Sequence, residues 1–304
     1  MVGRPETMFD PGKLRGCLDG DRTDDRTTAR ELALPPRTYP VGYSGKKKMP
    51  HIHKYAADGF AAGAQSYAKG RPDYPPVVVD WLKDDLGLST GKVGLDLGAG
   101  TGKFVPSLRA TGAAVIAVEP VAEMLNQLIV GNPDLDARRG SAEEIPLPND
   151  SVDAVVCAQS FHWFATEAVL AEIRRVLKPR GMLGLIWNVR DESVAWVAEL
   201  TAIMAPYEGD APRYHTQEWR RVFPDSGFGP LIERSFRHDH VGAPDDVIIN
   251  RILSVSFIAA LSLQDRQRVC RQTESLINST PGLANKSHVA FPYTTRTYHC
   301  QKRV

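Results

Sequence analysis

Residues 93–104 read Val93-Gly94-Leu95-Asp96-Leu97-Gly98-Ala99-Gly100-Thr101-Gly102-Lys103-Phe104. A short apolar run, Val93 to Leu97, passes directly into three alternating glycines, Gly98 to Gly102. That order predicts a strand, a tight loop and then a helix over Phe104–Ala110. Outward from it, Ala114 to Val118 is a second strand candidate and Val121 to Val130 a helix. Val152 to Ala158 is a third strand, after the turn residues Pro148-Asn149-Asp150-Ser151. Val169, Leu170, Ile173, Val176 and Leu177 then fall on one helical face, which Pro179 and Gly181 terminate. Met182 to Trp187 is a further strand, and Val77 to Leu86, entered through Pro75-Pro76, a preceding helix. Strands alternating with helices predict an α/β fold, a parallel sheet with helices on both faces. Beyond residue 190 the periodicity weakens. Residues 190–230 mix helical segments with Pro, Gly and aromatics, Ile232 to His240 is a strand candidate, Val247 to Leu261 reads as helix, and Val289 to His299 as a final strand.

A glycine loop between strand and helix suits three kinds of ligand. The phosphate-binding pattern G-x-x-x-x-G-K-[ST] fails, because Leu97 stands where its first Gly belongs and Phe104 where Ser or Thr belongs. The dinucleotide pattern G-x-G-x-x-G fits Gly98 and Gly100 but meets Lys103 at the third position, and Asp96 would set negative charge near a pyrophosphate. The third ligand is S-adenosylmethionine, which carries an ammonium and a sulfonium and no phosphate. An acid in the first strand suits the ammonium, close glycines admit the amino-acid part and ribose, and an acid ending the second strand accepts the ribose hydroxyls. Glu119 stands there, seventeen residues beyond Gly102.

Composition narrows the rest. The chain has 304 residues, 42% of them hydrophobic, enough for a sizeable core. Its 37 basic and 36 acidic residues leave a net charge of +1, with no global pull toward nucleic acid or an anionic membrane. The longest nearly unbroken apolar stretch, Val255 to Leu263, is too short to span a bilayer. Four dispersed cysteines, Cys17, Cys157, Cys270 and Cys300, form no C-x-x-C pair and point to a reducing, cytoplasmic setting. The pairs His51/His53 and His238/His240 have no third and fourth ligand nearby, so no metal is expected. Residues 1–48 carry ten basic and seven acidic side chains without apolar periodicity and are expected to be a disordered extension. They contain no signal-peptide core, and Lys46-Lys47-Lys48 is at most a weak nuclear address. The remaining 49–304 is expected to form one domain.

Five segments in order, LDLGAGTGKF (95–104), AVEPVAEML (117–125), GSAEEIPLP (140–148), SVDAVVCAQSFHWF (151–164) and EIRRVLKPRGMLGLIWN (172–188), give a family resemblance. Over roughly residues 56–300 the chain resembles the class I S-adenosylmethionine-dependent methyltransferases, and within them the group of trans-aconitate methyltransferase and the fungal cantharidin-resistance methyltransferase. The resemblance implies a Rossmann-like seven-stranded sheet with a helical cap inserted after the fifth strand, at 190–230. It implies S-adenosylmethionine as cofactor and S-adenosylhomocysteine as product. Asp96, Gly98, Ala99, Gly100, Thr101 and Gly102 would then surround the methionine end, Glu119 the ribose, and Pro120, Met124, Ala142 and Glu143 the adenosine. Gln159 and Ser160 follow the fourth strand at the methyl-transfer rim. The upstream element Tyr67, Arg71-Pro72, Tyr74-Pro75 would close over the cofactor, with Arg71 near its carboxylate. Arg180 departs from the usual P-G-G turn.

Phe161, His162 and Trp163 are the candidate catalytic residues. His162 reads either as a general base or as a wall residue. Phe161, Trp163 and Phe164 read either as plain core or, for Phe161 together with Tyr67, as π faces toward the sulfonium, with core packing the better reading for Trp163 or Phe164. Trp187-Asn188 would point at the pocket, and Arg190, Tyr207, Arg213, Tyr214, His215 and Trp219 cluster in the cap over the substrate, where the arginines and tyrosines are expected to hold a carboxylate. The acceptor is expected to be a small molecule, its carboxylate oxygen the favoured nucleophile, and the protein a monomer or weak dimer without nucleic-acid or membrane partners. A catalytically silent cofactor-binding sensor is the alternative. The residues after the fourth strand, Gln159-Ser160-Phe161, lack the N/D-P-P-Y pattern of base amino-group methylation.

Overall fold

The computed structural model describes residues 70–223 and 227–304. The expected disordered extension 1–48, the Lys46–Lys48 run, His51/His53 and Tyr67 lie outside the described residues. Helix α1 (Val77–Asp84) leads into β1 (Val93–Leu97), α2 (Val105–Arg109), β2 (Ala114–Glu119), α3 (Ala122–Gly131), β3 (Asp136–Arg139) and β4 (Val152–Ala158). Then come α4 (Glu167–Val176), β5 (Leu177–Arg190), α5 (Ala195–Met204), β6 (Ile232–Gly242), α6 (Leu263–Ser279) and β7 (Val289–Gln301). The seven strands form one sheet in the order β3-β2-β1-β4-β5-β7-β6. β1 pairs in parallel with both β2 and β4, and β7 runs antiparallel between β5 and β6. This is the expected α/β sheet.

Burial explains the composition of each strand. β1 and β4 are covered on both faces, so they read as near-continuous apolar runs. β6 lies at the edge; its first four residues are exposed, and from Ser235 exposed residues alternate with half-buried ones. Thr166 caps α4 by accepting from the Val169 N–H at 3.2 Å. The apolar stripe of that helix, Val169, Leu170, Ile173 and Val176, joins Leu95, Leu97, Val155, Cys157 and Leu185 in the main core. A second core on the opposite face packs Val78, Trp81, Leu82, Phe104 and Leu108 against Ala154, Val156 and Ile186.

The structure departs from the expected elements in four places. β5 begins at Leu177, so Pro179-Arg180-Gly181 lies inside the strand, with Arg180 at φ +62°. β3, Asp-Ala-Arg-Arg, is polar and too short to show a period. The helix expected over 247–261 is broken into a π turn Asp245–Asn250 and short helices Arg251–Leu253 and Ser256–Ala259. The seventeen-residue α6 was not expected at all. The cap is therefore built from two insertions. One follows β5 and contains α5 and the turns Ala205–Tyr207 and Glu218–Val222; the other lies between β6 and β7 and contains α6, which packs on α5.

Because β1 sits between β2 and β4, the connections from its two neighbours leave on opposite sides, and a crevice opens at the carboxyl ends of these strands. The glycine loop enters it. Gly102 has φ +88°, and a Cβ there would lie 2.5 Å from Cδ1 of Leu128, which is fully buried. Gly91 has nearly the same φ, +85°, with no atom within 4 Å of such a Cβ. Gly91→Ala is therefore expected to cost only the left-handed backbone term, about 1–2 kcal/mol. Gly102→Ala is expected to cost about 1–3 kcal/mol more for the overlap. Urea unfolding of both variants checks this; equal losses would contradict it.

Candidate active site

Three strand ends meet in the crevice, and each supplies one feature. At the end of β1, the N–H of Gly98 donates to the Val118 carbonyl at 2.9 Å and turns the chain. Gly98 has φ +73°, and a Cβ on it would lie 2.8 Å from Cβ of Ser160, so only glycine lets this loop pass so close to the β4 end. At the end of β2, Glu119 accepts from the Gly100 N–H at 2.8 Å through Oε2 and from the Val121 N–H at 2.9 Å through Oε1. Each oxygen keeps a further lone-pair site, so the carboxylate can accept from a diol as well. At the end of β4, Gln159 adopts φ +58°, and Ser160 Oγ donates to the Leu97 carbonyl at 2.8 Å.

The cleft so formed is lined by most of the expected residues. Gly98, Ala99, Gly100 and Thr101 form one wall, Glu119, Pro120 and Met124 another, and Ala142 and Glu143 close the far end. Gln159, Ser160 and Trp163 form the rim, with Arg71 across from them. Lys103, which sequence reasoning passed over, also lines it. Its Nζ donates to the Arg71 carbonyl at 3.0 Å and to Asp73 Oδ1 at 2.9 Å, tying the segment 71–74 to the glycine loop. Tyr74 packs edge-on against Phe104 with centroids 4.8 Å apart.

Besides His162, which lines the second chamber, three expected site residues do not line the cleft. Asp96 is fully buried, because strand alternation sends its side chain to the face opposite Leu95 and Leu97. Both of its carboxylate oxygens lack a hydrogen-bond partner. Burial, with the nearby Glu119 charge adding, pushes its carboxyl up to about 8. It therefore underlies the loop rather than touching a ligand in this geometry. Gly102 faces Leu128 and serves the turn. Phe161 is completely buried in the main core, edge-on to Phe164 and Trp219. Of the three aromatics, Phe161 takes the core reading, while Trp163 and Phe164 line the cleft wall, against the core packing favoured for them from sequence. Glu119 is also pushed up, to about 7, by burial, with its two backbone donors pulling the other way.

A second chamber adjoins the first and shares Arg71, Gln159 and Trp163 with it. Trp187, Asn188, Arg190, Arg213, Tyr214 and His215 line it, as expected from the sequence. Tyr207 does not, and Trp219 is buried against Trp187, tilted to it, and against Tyr298, edge-on. The second insertion adds Arg251, Val255, Ser256 and Phe257, none of which the sequence suggested. Arg251 is placed by the close approach of two backbones: a Cβ on Gly70 would lie 2.6–2.8 Å from backbone atoms of Asn250 and Arg251.

His162 lines this chamber, but the geometry removes it as a general base. Trp187 Nε1–H donates to His162 Nδ1 at 3.1 Å. The neutral ring then carries its proton on Nε2, so its remaining nitrogen is a donor. Burial, reinforced by the Arg213 and Arg71 charges, lowers its pKa to about 3, so the ring stays neutral at physiological pH.

The buried acids give the folded protein a pH signature. Asp96 and Glu119 hold their protons up to about 8 and 7, while an unfolded chain releases them near 4. Their contribution to stability is complete below the unfolded value and lost as pH rises toward the folded one. The melting temperature without ligand is expected to fall between pH 5.5 and 8.5, and Asp96→Asn to flatten that fall. Thermal unfolding at stepped pH checks this, and parallel profiles for the two proteins would contradict it.

Comparison with known proteins agrees with this architecture. Residues 95–185 match the family described as Methyltransferase domain. The chain is 37% identical to an uncharacterised methyltransferase-like protein of Schizosaccharomyces pombe, over 80% of this chain and 95% of that one. It is 38% identical to an uncharacterised methyltransferase of Mycobacterium tuberculosis, over 78% of this chain and 92% of that one. Among solved structures, a proposed methyltransferase from an antibiotic biosynthesis pathway of Anabaena variabilis superposes with a TM-score of 0.53 at 18% identity, covering 76% of this chain and 98% of that chain, which is a likeness of fold. With the sheet order, the glycine loop and relatives that align along most of their length, the chain belongs to the class I S-adenosylmethionine-dependent methyltransferase superfamily.

Proposed function

We propose that the protein transfers a methyl group from S-adenosylmethionine to a carboxylate oxygen of a small-molecule acceptor, releasing S-adenosylhomocysteine. One observation carries the reading: the cleft suited to the cofactor and a chamber rich in arginine share the wall Arg71, Gln159 and Trp163. The residues present fit the cofactor. Glu119 has acceptor capacity left for two ribose hydroxyls, and Met124, Ala142 and Pro120 offer an apolar slot for the adenine. Arg71 lines the same cleft and would meet the methionine carboxylate. Once bound, the cofactor supplies a methyl group already activated by its sulfonium.

What remains for the protein is alignment, exclusion of water and recognition. Trp163 separates the two compartments and is the surface along which donor and acceptor meet. Arg190, Arg213 and Arg251 supply the guanidinium forks that bind carboxylates in a fixed geometry. A carboxylate is nucleophilic without losing a proton, which suits a site whose histidine is a neutral donor. His162 Nε2–H is then free to hydrogen-bond the acceptor.

Two measurements test this reading. In calorimetry, S-adenosylhomocysteine is expected to bind the wild type and to lose at least about tenfold in affinity with Glu119→Ala. Only the ionised Glu119 accepts from both hydroxyls. With its pKa near 7, wild-type affinity is expected to be roughly tenfold weaker at pH 6 than at pH 8. Equal affinities at the two pH values would contradict the role given to Glu119. In turnover assays with methyl-labelled cofactor and a panel of small carboxylic acids, Arg213→Gln and Arg251→Gln are expected to raise the acceptor KM at least about tenfold while leaving cofactor affinity in place. Unchanged acceptor KM in both variants would remove the arginines from recognition.

A further inference from the structure

The second chamber brings together the guanidiniums of Arg71, Arg190, Arg213 and Arg251 with two carboxylates, those of Glu192 and Glu208. The two acids are placed differently. Glu192 Oε1 accepts from the Thr201 hydroxyl at 2.8 Å. Glu208 Oε1 lies 3.3 Å from Arg213 Nε and 3.4 Å from His215 Nε2. The Arg213 contact is one of charge, not a formed hydrogen bond: Arg213 Nε and Nη2 are both buried without a hydrogen-bond partner. Arg251 Nη1 is in the same condition, although Arg251 is only 7% exposed. Both guanidiniums are nonetheless held in place. Arg251 Nε donates to the Tyr293 hydroxyl at 3.2 Å, and Arg213 lies 4.2 Å from the centroid of the Phe257 ring.

Buried cationic donors that make no hydrogen bond are costly, and such a site favours an anion that can satisfy them. Glu208 meets the charge of Arg213 without meeting its hydrogen-bonding capacity. It also has somewhere to go. It lines a third cavity, an outer vestibule formed with Ala165, Asp210, Pro212, Glu218 and Trp219, and the residue after it, Gly209, has φ +58°. Glu208 thus stands on the wall between chamber and vestibule, beside His215, which is 65% exposed.

We propose that Glu208 is a resident counter-ion that holds Arg213 until the acceptor's carboxylate replaces it, so that it sets the chamber's selectivity by competing with incoming anions. The inference rests on the reading above that this chamber receives the acceptor. A neutral molecule can fill the open N–H groups of the arginine but brings no charge to replace that of Glu208, so it leaves the acid in place. A carboxylate that reaches the unfilled N–H groups of Arg213 and Arg251 makes hydrogen bonds that Glu208 does not, and so displaces it.

The test titrates succinate and citrate, as carboxylate probes, into protein saturated with S-adenosylhomocysteine at constant ionic strength. It compares the wild type with Glu208→Gln, Glu208→Asp and Glu218→Gln, the last being a vestibule acid paired with Arg221. Glu208→Gln is expected to bind at least one probe roughly tenfold more tightly than wild type. Glu208→Asp, which keeps the charge, and Glu218→Gln are expected to stay near wild type, and all four proteins to bind S-adenosylhomocysteine equally. Thermal unfolding of each variant identifies any that is misfolded, and Glu208→Asp separates loss of charge from loss of packing. Wild-type anion binding that is unchanged or weakened by Glu208→Gln would overturn the counter-ion role and leave the chamber's function standing. Failure of every protein to bind either anion while binding S-adenosylhomocysteine would instead overturn the chamber's function, and the counter-ion role with it.

Discussion

The Glu119 carboxylate holds the site together. Its two oxygens take the N–H groups of Gly100 and Val121, so one side chain at the end of β2 fixes both the glycine loop from β1 and the start of α3. Those hydrogen bonds favour the ionised form, burial favours the neutral one, and the balance sits close to neutrality. A buried acid so placed is poorly solvated until a ligand supplies further donors. The same carboxylate that shapes the loop is therefore the group with most to gain from a bound diol. Beneath it, Asp96 adds a second buried acid whose oxygens meet no donor. The two acids make the crevice a place where protonation, folding and ligand binding are linked.

The other half of the site depends on the packing of two insertions and on a few hydrogen bonds that tie them to the cleft. A parallel sheet with its crevice at the strand ends leaves the mouth open to water. Here two separate insertions cover it, with α5 from one packed on α6 from the other. The segment 71–74 joins this cover to the glycine loop. Lys103 grips it at Arg71 and Asp73, Asn188 Nδ2 donates to the Asp73 carbonyl at 3.0 Å, and Arg71 reaches the Ser254 carbonyl at 3.4 Å. The second insertion and β5 are thereby linked to the cofactor cleft through segment 71–74. The arginines lie where this cover meets the sheet, in surroundings dry enough that burial pushes Arg213 down to about 10.

Much of this was legible in the sequence, for identifiable reasons. Buried parallel strands must be apolar, so β1, β2 and β4 announced themselves, and a loop with glycines at three left-handed positions has few alternatives. Glu119 followed from its place at a strand end. Asp96 shows the limit of such reasoning: the residue type was right for a ligand, but strand alternation turns it away from the cleft. Phe161 and Trp163 are two residues apart, and no periodicity in a 3-10 turn says which one packs inward. The cap was harder still. Residues 190–230 were expected to form it alone, because the second insertion lies far away in sequence. Yet α6 carried its own signals. Ser262 caps it by accepting from the Asp265 N–H at 3.2 Å, and Val269, Cys270, Thr273, Leu276 and Ile277 repeat the spacing that identified α4. A strongly polar composition hid that stripe. Arg251 had no local signal of any kind, since a broken helix and a backbone contact with Gly70 place it.

In the proposed reaction a methyl group is delivered across the shared wall to a carboxylate oxygen. The chemistry of the product tests it most directly. The purified protein would be incubated with methyl-labelled S-adenosylmethionine and a small-molecule extract, and the labelled product treated with mild alkali. A carboxyl methyl ester hydrolyses under these conditions, so the label is expected to be released as volatile methanol. Label that enters the product and stays there through alkali treatment, as in an ether or a methylated amine, would contradict it.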